Sequence, residues 1–248
     1  MPEASTLRAT NRQFYDALWS AAHLIAPERL NTWPLVRSLL PQRGRRLEVA
    51  PGLRPRLPIE GTEFVDLSGP AVAKLAGRGA RAVQSEISAL PFASGAFDLV
   101  CALDILEHVD DDRGALAELR RVVAPGGVLL LSFPLHAARW TLFDELVGHR
   151  RRYEPEAIEG FLAEHGLRVA RSAAYGMKPR SSRLVDHGMW WLDRHRRLAM
   201  WSYNRVLMPL GVLFQAPLAL SAGLIDTHRV DEILLVCHTG APTDPGAA

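Results

Sequence analysis

Apolar positions change rhythm along the chain. Within the first 40 residues Phe14, Leu18 and Trp19, then Ala22, Leu24 and Ile25, recur at roughly helical spacing. Pro27 interrupts the pattern, and Trp33 to Leu40 resumes it before Pro41. From Arg45 onward short apolar runs alternate with helical stretches. RRLEVA (45–50), EFVDL (63–67), ARAVQ (80–84), FDLVCAL (97–103) and GVLLLSF (127–133) predict strands. The last two are continuous apolar runs without alternation, which suits strands of a parallel sheet covered on both faces. PAVAKLAGRG (70–79) and DDRGALAELRRVVAPGG (111–127) predict helices. In the second, Leu116, Leu119, Val122 and Val123 form the apolar stripe and Pro125-Gly126-Gly127 stops it. A helix over Pro155 to His165, a sixth strand over Leu167 to Tyr175 and a last strand over Glu232 to Thr239 complete the pattern.

This alternation predicts an α/β chain with a doubly wound, mostly parallel seven-stranded sheet that binds its ligand at the carboxyl ends of the strands. The organisation expected is an N-terminal helical cap (1–42), one domain (43–240) with an apolar, Trp/Arg-rich helical insertion at 176–230, and a disordered tail (241–248). Composition narrows the class. Hydrophobic residues at 48% and charged residues at 23% exclude wholesale disorder. A formal charge of +2 and a pI near 8.7 give no basic patch, so no nucleic-acid partner is expected. Cys101 and Cys237 lie inside strand-like runs and predict buried, reduced thiols, and no cysteine or histidine cluster has zinc spacing, so no metal is expected. The polar start MPEASTLRATNRQ lacks an apolar signal core, which predicts a cytoplasmic protein.

Three acids sit at successive strand ends: Glu48 in LEVAPG (47–52), Asp66 in FVDLS (64–68) and Glu86 after the third strand. An acid after the second strand commonly accepts hydrogen bonds from the ribose hydroxyls of a nucleoside cofactor, and Glu86 could receive an adenine amine. One such acid is usually a solvated strand end; three converge on one crevice.

The stretch ALPFASGAFDLVCALDILEHVDDDRGALAELRRVVAPGGVLLLSFP (89–134) then carries a specific likeness. Its LPF-x-x-x-x-FD entry to the fourth strand, L-E-H exit and P-G-G entry to the fifth resemble the class I S-adenosylmethionine-dependent methyltransferases. It is similar in particular to the group that includes ubiquinone and menaquinone biosynthesis methyltransferases, and the likeness extends over roughly 43–175. It implies S-adenosylmethionine as cofactor and methyl transfer to a small molecule. It also implies that Glu48 and the Ala50-Pro51-Gly52 turn lie beside the cofactor's amino-acid moiety. Asp66 and Ser68 would lie at the ribose, Leu67 against the adenine, Glu86 and Ile87 at the base, and Leu103 and Asp104 at the methyl-donor end. The segment GHRRRYEPEAIEGFLAEHGLRV (148–169) is similar to the family's G-H-x-R-R-Y stretch.

The first loop departs from that family. Where acid-x-Gly-x-Gly-x-Gly is usual, this chain reads Glu48-Val49-Ala50-Pro51-Gly52-Leu53-Arg54. Pro55 and Pro58 leave no room for the long helix that normally follows the first strand. Arg54 or Arg56 could replace the lost helix dipole with a charge-assisted bond to the cofactor's carboxylate, the alternative being that both are solvated. A non-catalytic methyltransferase-fold subunit is the competing reading. A nicotinamide dehydrogenase would need G-x-G-x-x-G after the first strand, which is absent.

Methyl transfer needs alignment first, and a base only when the attacked atom carries a proton. His108 in LEHVDD is the first candidate, with His149 and His136 as alternatives; a structural role is the ordinary one for a loop histidine. Arg150 to Arg152 read as a solvated charge run or as a site for an acidic acceptor. Residues 206–225 are uncharged and long enough to span a bilayer, but Pro209, Gln215 and Pro217 interrupt them and a strand returns to the sheet afterwards, which argues against a span. MWWLDRHRRLAMW (189–201) interleaves tryptophan with basic residues, as interfacial helices do. The segment 177–230 is therefore expected to be a lid over an apolar acceptor, a peripheral membrane contact or a homodimer contact. All three favour a hydrophobic or amphiphilic acceptor.

Overall fold

The computed structural model describes residues 15–176, 190–191 and 194–240. The expected tail at 241–248 and residues 177–189, with the start of the Trp-rich run, lie outside the described residues. Eight strands form one sheet: β1 (Arg46–Val49), β2 (Thr62–Asp66), β3 (Arg81–Gln84), β4 (Phe97–Ala102), β5 (Val123–Pro134), β6 (Leu167–Ala174), β7 (Ser221–Ala222) and β8 (Glu232–Thr239). Their order is β3-β2-β1-β4-β5-β8-β6-β7. Strands β1 to β5 pair in parallel, while β8 runs antiparallel to both β5 and β6. The architecture is thus the expected doubly wound α/β sheet. It has eight strands rather than seven because the end of the insertion adds the two-residue β7 at the edge, against Arg171 and Ser172.

Helix α1 covers residues 15–21 and α2 covers Trp33–Leu39. Helices α3 (Gly69–Ala76), α4 (Asp112–Val122), α5 (Leu142–Val147) and α6 (Pro155–Ala163) follow. Helix α4 ends at Val122, leaving two residues before the Pro125-Gly126-Gly127 stop that its sequence suggests. Pro125 cannot continue a helix, and β-branched Val123 pairs with Phe97 instead, opening β5 through an irregularity with Gly126 at φ +75°. Asp111 caps α4 by accepting the amide of Gly114 at 2.8 Å. The cap is not a separate layer: Leu18, Trp19 and Ala22 are buried with Leu53, Phe64, Ala71 and Leu75 against the sheet. Cys101 and Cys237 are buried free thiols.

The insertion continues as α7 (Arg196–Ser202), a π-helical turn (Tyr203–Leu207) and α8 (Met208–Phe214). Ala199, Asn204, Met208 and Val212 are buried. The wider spacing from Ala199 to Asn204 is the extra residue of the π turn, which keeps all four on the inward face. Asn204 donates to the Leu18 carbonyl at 3.2 Å, and Met208 and Val212 cluster with Leu30. Among the described residues no helix is long and apolar enough to cross a membrane.

Candidate active site

The carboxyl ends of β1, β2, β3 and β4 lie side by side, and each of the first three is followed or ended by one of the predicted acids. Glu48, on β1, is buried. The backbone amides of Arg56 and Leu57 both donate to it, at 2.8 Å each. Burial pushes its pKa up to about 7, against the pull of those amides. Asp66, ending β2, is also buried and accepts the amides of Gly52 and Ser68, each at 2.8 Å. Burial raises it to about 6, again opposed by the two amides. Ser68 in turn donates to Asp16 of the cap at 2.6 Å. Glu86 is exposed beyond β3, Ile87 is buried beside it, and Leu67 is 39% exposed at the tip of β2.

The contracted loop keeps a glycine-like path. Ala50 has φ +57° and Gly52 φ +54°, the left-handed region. An alanine there carries a steric cost that glycine avoids, so the path is imposed by its surroundings: the Ala50 amide donates to Val65 at 2.7 Å and Gly52 to Asp66. A Cβ on Gly52 would run into the indole of Trp19, which lies on the turn. The missing helix is replaced by two leucines at 0% exposure, Leu53 on the side of the cap and Leu57 among Leu35, Leu99 and Leu130. The side chains of Arg54 and Arg56 are engaged rather than solvated. Arg54 stacks between Trp19 and Tyr203, at 5.2 and 5.1 Å, and donates to the Tyr203 hydroxyl. Arg56 donates to the Tyr175 hydroxyl at 2.6 Å and lies within the field of Asp104 and Glu48.

After β4, Asp104 is held at φ +53°. Its amide donates to Ser132 on β5, and the Ser132 hydroxyl returns a bond to its carboxylate. Leu103 is half-buried beside it. The turn then brings His108 against His149, with ring centroids 4.6 Å apart, and Tyr15 of the cap reaches His108 Nε2 at 3.3 Å. Burial, then His149, pulls the His108 pKa down to about 3. His149 Nδ1 pairs with Asp144 at 2.8 Å, and its Nε2 lies 3.9 Å from Glu107. Burial alone would raise Asp144, but bonds from His149, Arg152 and Thr141 hold it well below the usual range. Glu107 is buried, and its pKa is raised by that burial and by Asp104.

The structure thus brings His108 and His149 together and places His136 elsewhere, its Nε2 3.0 Å from the Thr227 carbonyl. The arginine run is not solvated: Arg150 pairs with Asp110, Arg151 with Asp112, and Arg152 with buried Asp144. Tyr15, Glu107 and Asp144 were not among the residues singled out in the sequence, and Trp19 was read only as an apolar position of a helix. Only the Thr141-x-x-Asp144 spacing offered a local sign, as a capping box on α5. Glu107, His108 and His149 have ligand atoms within 4.8 Å of one another, a set that could hold a divalent ion, which the sequence spacing did not suggest.

Parallel strands with acids at successive ends, closed by an antiparallel last strand, define the class I methyltransferase fold. Residues 62–131, from β2 into β5, match the family described as "Methyltransferase domain". The chain is 36% identical over 92 residues to a malonyl-(acyl-carrier protein) O-methyltransferase of Enterobacter lignolyticus, covering 35% of this chain and 36% of that protein. It is 32% identical over 111 residues to a demethylmenaquinone methyltransferase of Thermus thermophilus, covering 38% and 50%. The chain therefore spans half or less of the length of the curated relatives it matches. A structure from Thermotoga maritima, described as a SAM-dependent methyltransferase and "possible histamine N-methyltransferase", superposes with TM-score 0.58 at 16% identity, over 86% of this chain and 89% of that one. The cyclase SpnF superposes with TM-score 0.54 at 22% identity, over 84% and 79%. The Thermotoga maritima protein is described as SAM-dependent, so the question for this chain is whether S-adenosylmethionine fits the residues present.

The adenosine half of that cofactor fits the residues present. Each Asp66 oxygen takes one of the two amides, so lone pairs remain for the ribose hydroxyls. Leu67 offers an exposed apolar face and Glu86 an exposed acceptor beside it.

Proposed function

We propose that this chain binds S-adenosylmethionine across the ends of β1 to β4 and transfers its methyl group to a small hydrophobic or amphiphilic acceptor. The observation that carries the reading is the arrangement of Glu48, Asp66 and Glu86 at the ends of three adjacent strands, with Leu67 exposed between the last two. When bound, the cofactor supplies an electrophilic methyl carbon on a sulfonium. Asp66 and Glu86 would hold ribose and base, and the Ala50–Gly52 turn the amino-acid end. Asp104, fixed by Ser132, borders the reacting end. His149, oriented by Asp144, is the proposed acceptor of a proton from the attacked atom. His108, whose lowered pKa keeps it neutral, would link His149 to the crevice. Two of the matched relatives are named for a menaquinone and for a sterol, which favours an apolar acceptor.

One observation favours a second reading, a subunit that binds partners without catalysis: Trp19 lies on Gly52, where the cofactor's amino-acid end would approach. A thermal-shift series separates the two. A ligand at a hundred times its dissociation constant stabilises the fold by roughly 2.7 kcal/mol. S-adenosylhomocysteine should raise the melting temperature while NAD leaves it unchanged. No shift with S-adenosylmethionine or with S-adenosylhomocysteine would promote the non-catalytic reading.

A further inference from the structure

The insertion has two apolar faces, and only the inner one is covered within the chain. Inward, Ala199, Met208 and Val212 are buried. Asn31 of the cap donates to Gln215 and to the Ala216 carbonyl, at 2.7 and 2.8 Å, which pins the end of α8 in place. Outward, Leu198, Trp201, Leu207, Leu210, Leu213 and Phe214 are all exposed, Leu213 at 69% and Phe214 at 79%. Leu207, Leu210 and Phe214 recur at i, i+3 and i+7, a stripe on the side opposite Met208 and Val212. A surface helix normally turns a polar face outward; one apolar on both sides has an unfilled requirement for cover.

Charge identifies the cover. From Arg194 to Ile225 the sequence contains Arg194, Arg196, Arg197 and Arg205 and no Asp or Glu. Arg194 and Arg205 are exposed. In a two-fold dimer through this face the same patch meets itself, which sets Arg194 and Arg205 against their own copies with no acid inside the segment to answer them, only Asp193 and Asp226 at its two ends. An anionic lipid surface satisfies both demands: headgroups take the arginines, and the acyl boundary takes the leucines and Phe214. Trp201 beside the arginines suits the headgroup level.

We propose that the outward face of residues 198–214 seats the protein on an anionic bilayer surface as an interfacial element that does not span it. The inner side of the same segment touches the candidate site, since Tyr203 packs on Arg54 of the turn after β1. The bilayer face and the crevice are thus two sides of one element, a short path for an acceptor dissolved in lipid.

Flotation of the full chain with vesicles of 30:70 phosphatidylglycerol and phosphatidylcholine tests this. The protein should float with them, and less with pure phosphatidylcholine. The double variant L213E/F214E should lower partitioning by roughly tenfold or more while keeping the wild-type melting temperature. Brominated phosphatidylcholine should quench tryptophan fluorescence in the unaltered protein, so the test stands even if the variant misfolds. Wild-type protein that stays below the vesicles without quenching overturns the proposal, as does a folded variant that floats like wild type. A wild-type dimer, in the absence of lipid, that L213E/F214E converts to monomer would overturn it in favour of a second copy of the chain. The outcome is independent of the thermal-shift series, which reads the cofactor site alone.

Discussion

The turns after β1 and β4 leave adjacent strands toward the same crevice, and each begins with a non-glycine residue in the left-handed region, Ala50 at φ +57° and Asp104 at φ +53°. They hold that conformation by different means. Asp104 uses its own side chain, tied to Ser132 on the neighbouring strand. Ala50 has no polar side chain to use, so the backbone around it is held by carboxylates: Asp66 takes the amide of Gly52, and Glu48 takes the amides of Arg56 and Leu57. A loop that lost two glycines and a helix keeps its path because acids expected to face a cofactor also anchor the chain. At β4 the anchoring side chain and the group proposed to face the ligand are one residue, Asp104; at β1 the anchors, Glu48 and Asp66, lie outside the turn they hold.

The largest test lies beside the β4 turn. Asp144 and Arg152 are paired at 2.8 Å with side chains 0% and 1% exposed. Asp144→Ala would strand a buried guanidinium, and should cost about 3–5 kcal/mol in urea unfolding. A loss under ~1 kcal/mol would mean that the pair is not buried in solution.

Asp66→Ala comes next. Removing an ionised acceptor costs on the order of 1.5–3 kcal/mol, so calorimetric affinity for S-adenosylhomocysteine should fall about 10- to 100-fold. Asp104→Ala should lower affinity less, because the proposed site puts Asp104 at the reacting end rather than the ribose.

The dual use of Glu48 and Asp66 also predicts a pH dependence. Folded values of about 7 and about 6 exceed the ordinary 4.5 and 3.8, so between these limits the folded chain binds more protons than the unfolded one. The stability from these groups is complete below about pH 4 and is lost as pH rises through 6 and then 7, at roughly 1.4 kcal/mol for each tenfold gain in proton affinity on folding. Glu48→Gln should remove the part that extends to pH 7 and leave the Asp66 part. His108, lowered to about 3, gives the opposite slope over much of the same range, so the diagnostic quantity is the difference between wild type and Glu48→Gln; a difference that stays constant from pH 4 to 7 would contradict the Glu48 assignment.

The smallest effect contrasts the two turns directly. Ala50→Gly should relieve the left-handed strain and raise stability by about 1 kcal/mol. Asp104→Gly relieves the same strain but loses the bond to Ser132, and should be neutral or destabilising. Equal gains from both would mean that the Ser132 bond contributes nothing.

What the sequence made legible follows interaction range. The run from Ala89 to Pro134 is regular because its strands and helix are fixed by near neighbours, and the structure reproduces it except where α4 ends at Val122. Glu48, Asp66 and Glu86 could be placed from the sequence because each lies within two residues of the end of its own strand, Glu48 inside β1, Asp66 closing β2 and Glu86 just beyond β3. The rest depended on contacts distant in sequence. Trp19 on Gly52, Tyr15 on His108 and Arg54 between Trp19 and Tyr203 join residues whose local patterns say nothing of one another. The arginine run looked solvated because its partners, Asp110, Asp112 and Asp144, sit in two different loops and helices.

The five-residue π turn at Tyr203–Leu207 acts as a phase adjuster for everything after it. One residue fewer there would rotate α8 by about 100° about its axis. Leu213 would take the buried place of Val212, Val212 the half-buried place of Gly211, and Phe214 the exposed place of Leu213, so the length of that single turn decides which side chain the insertion turns inward.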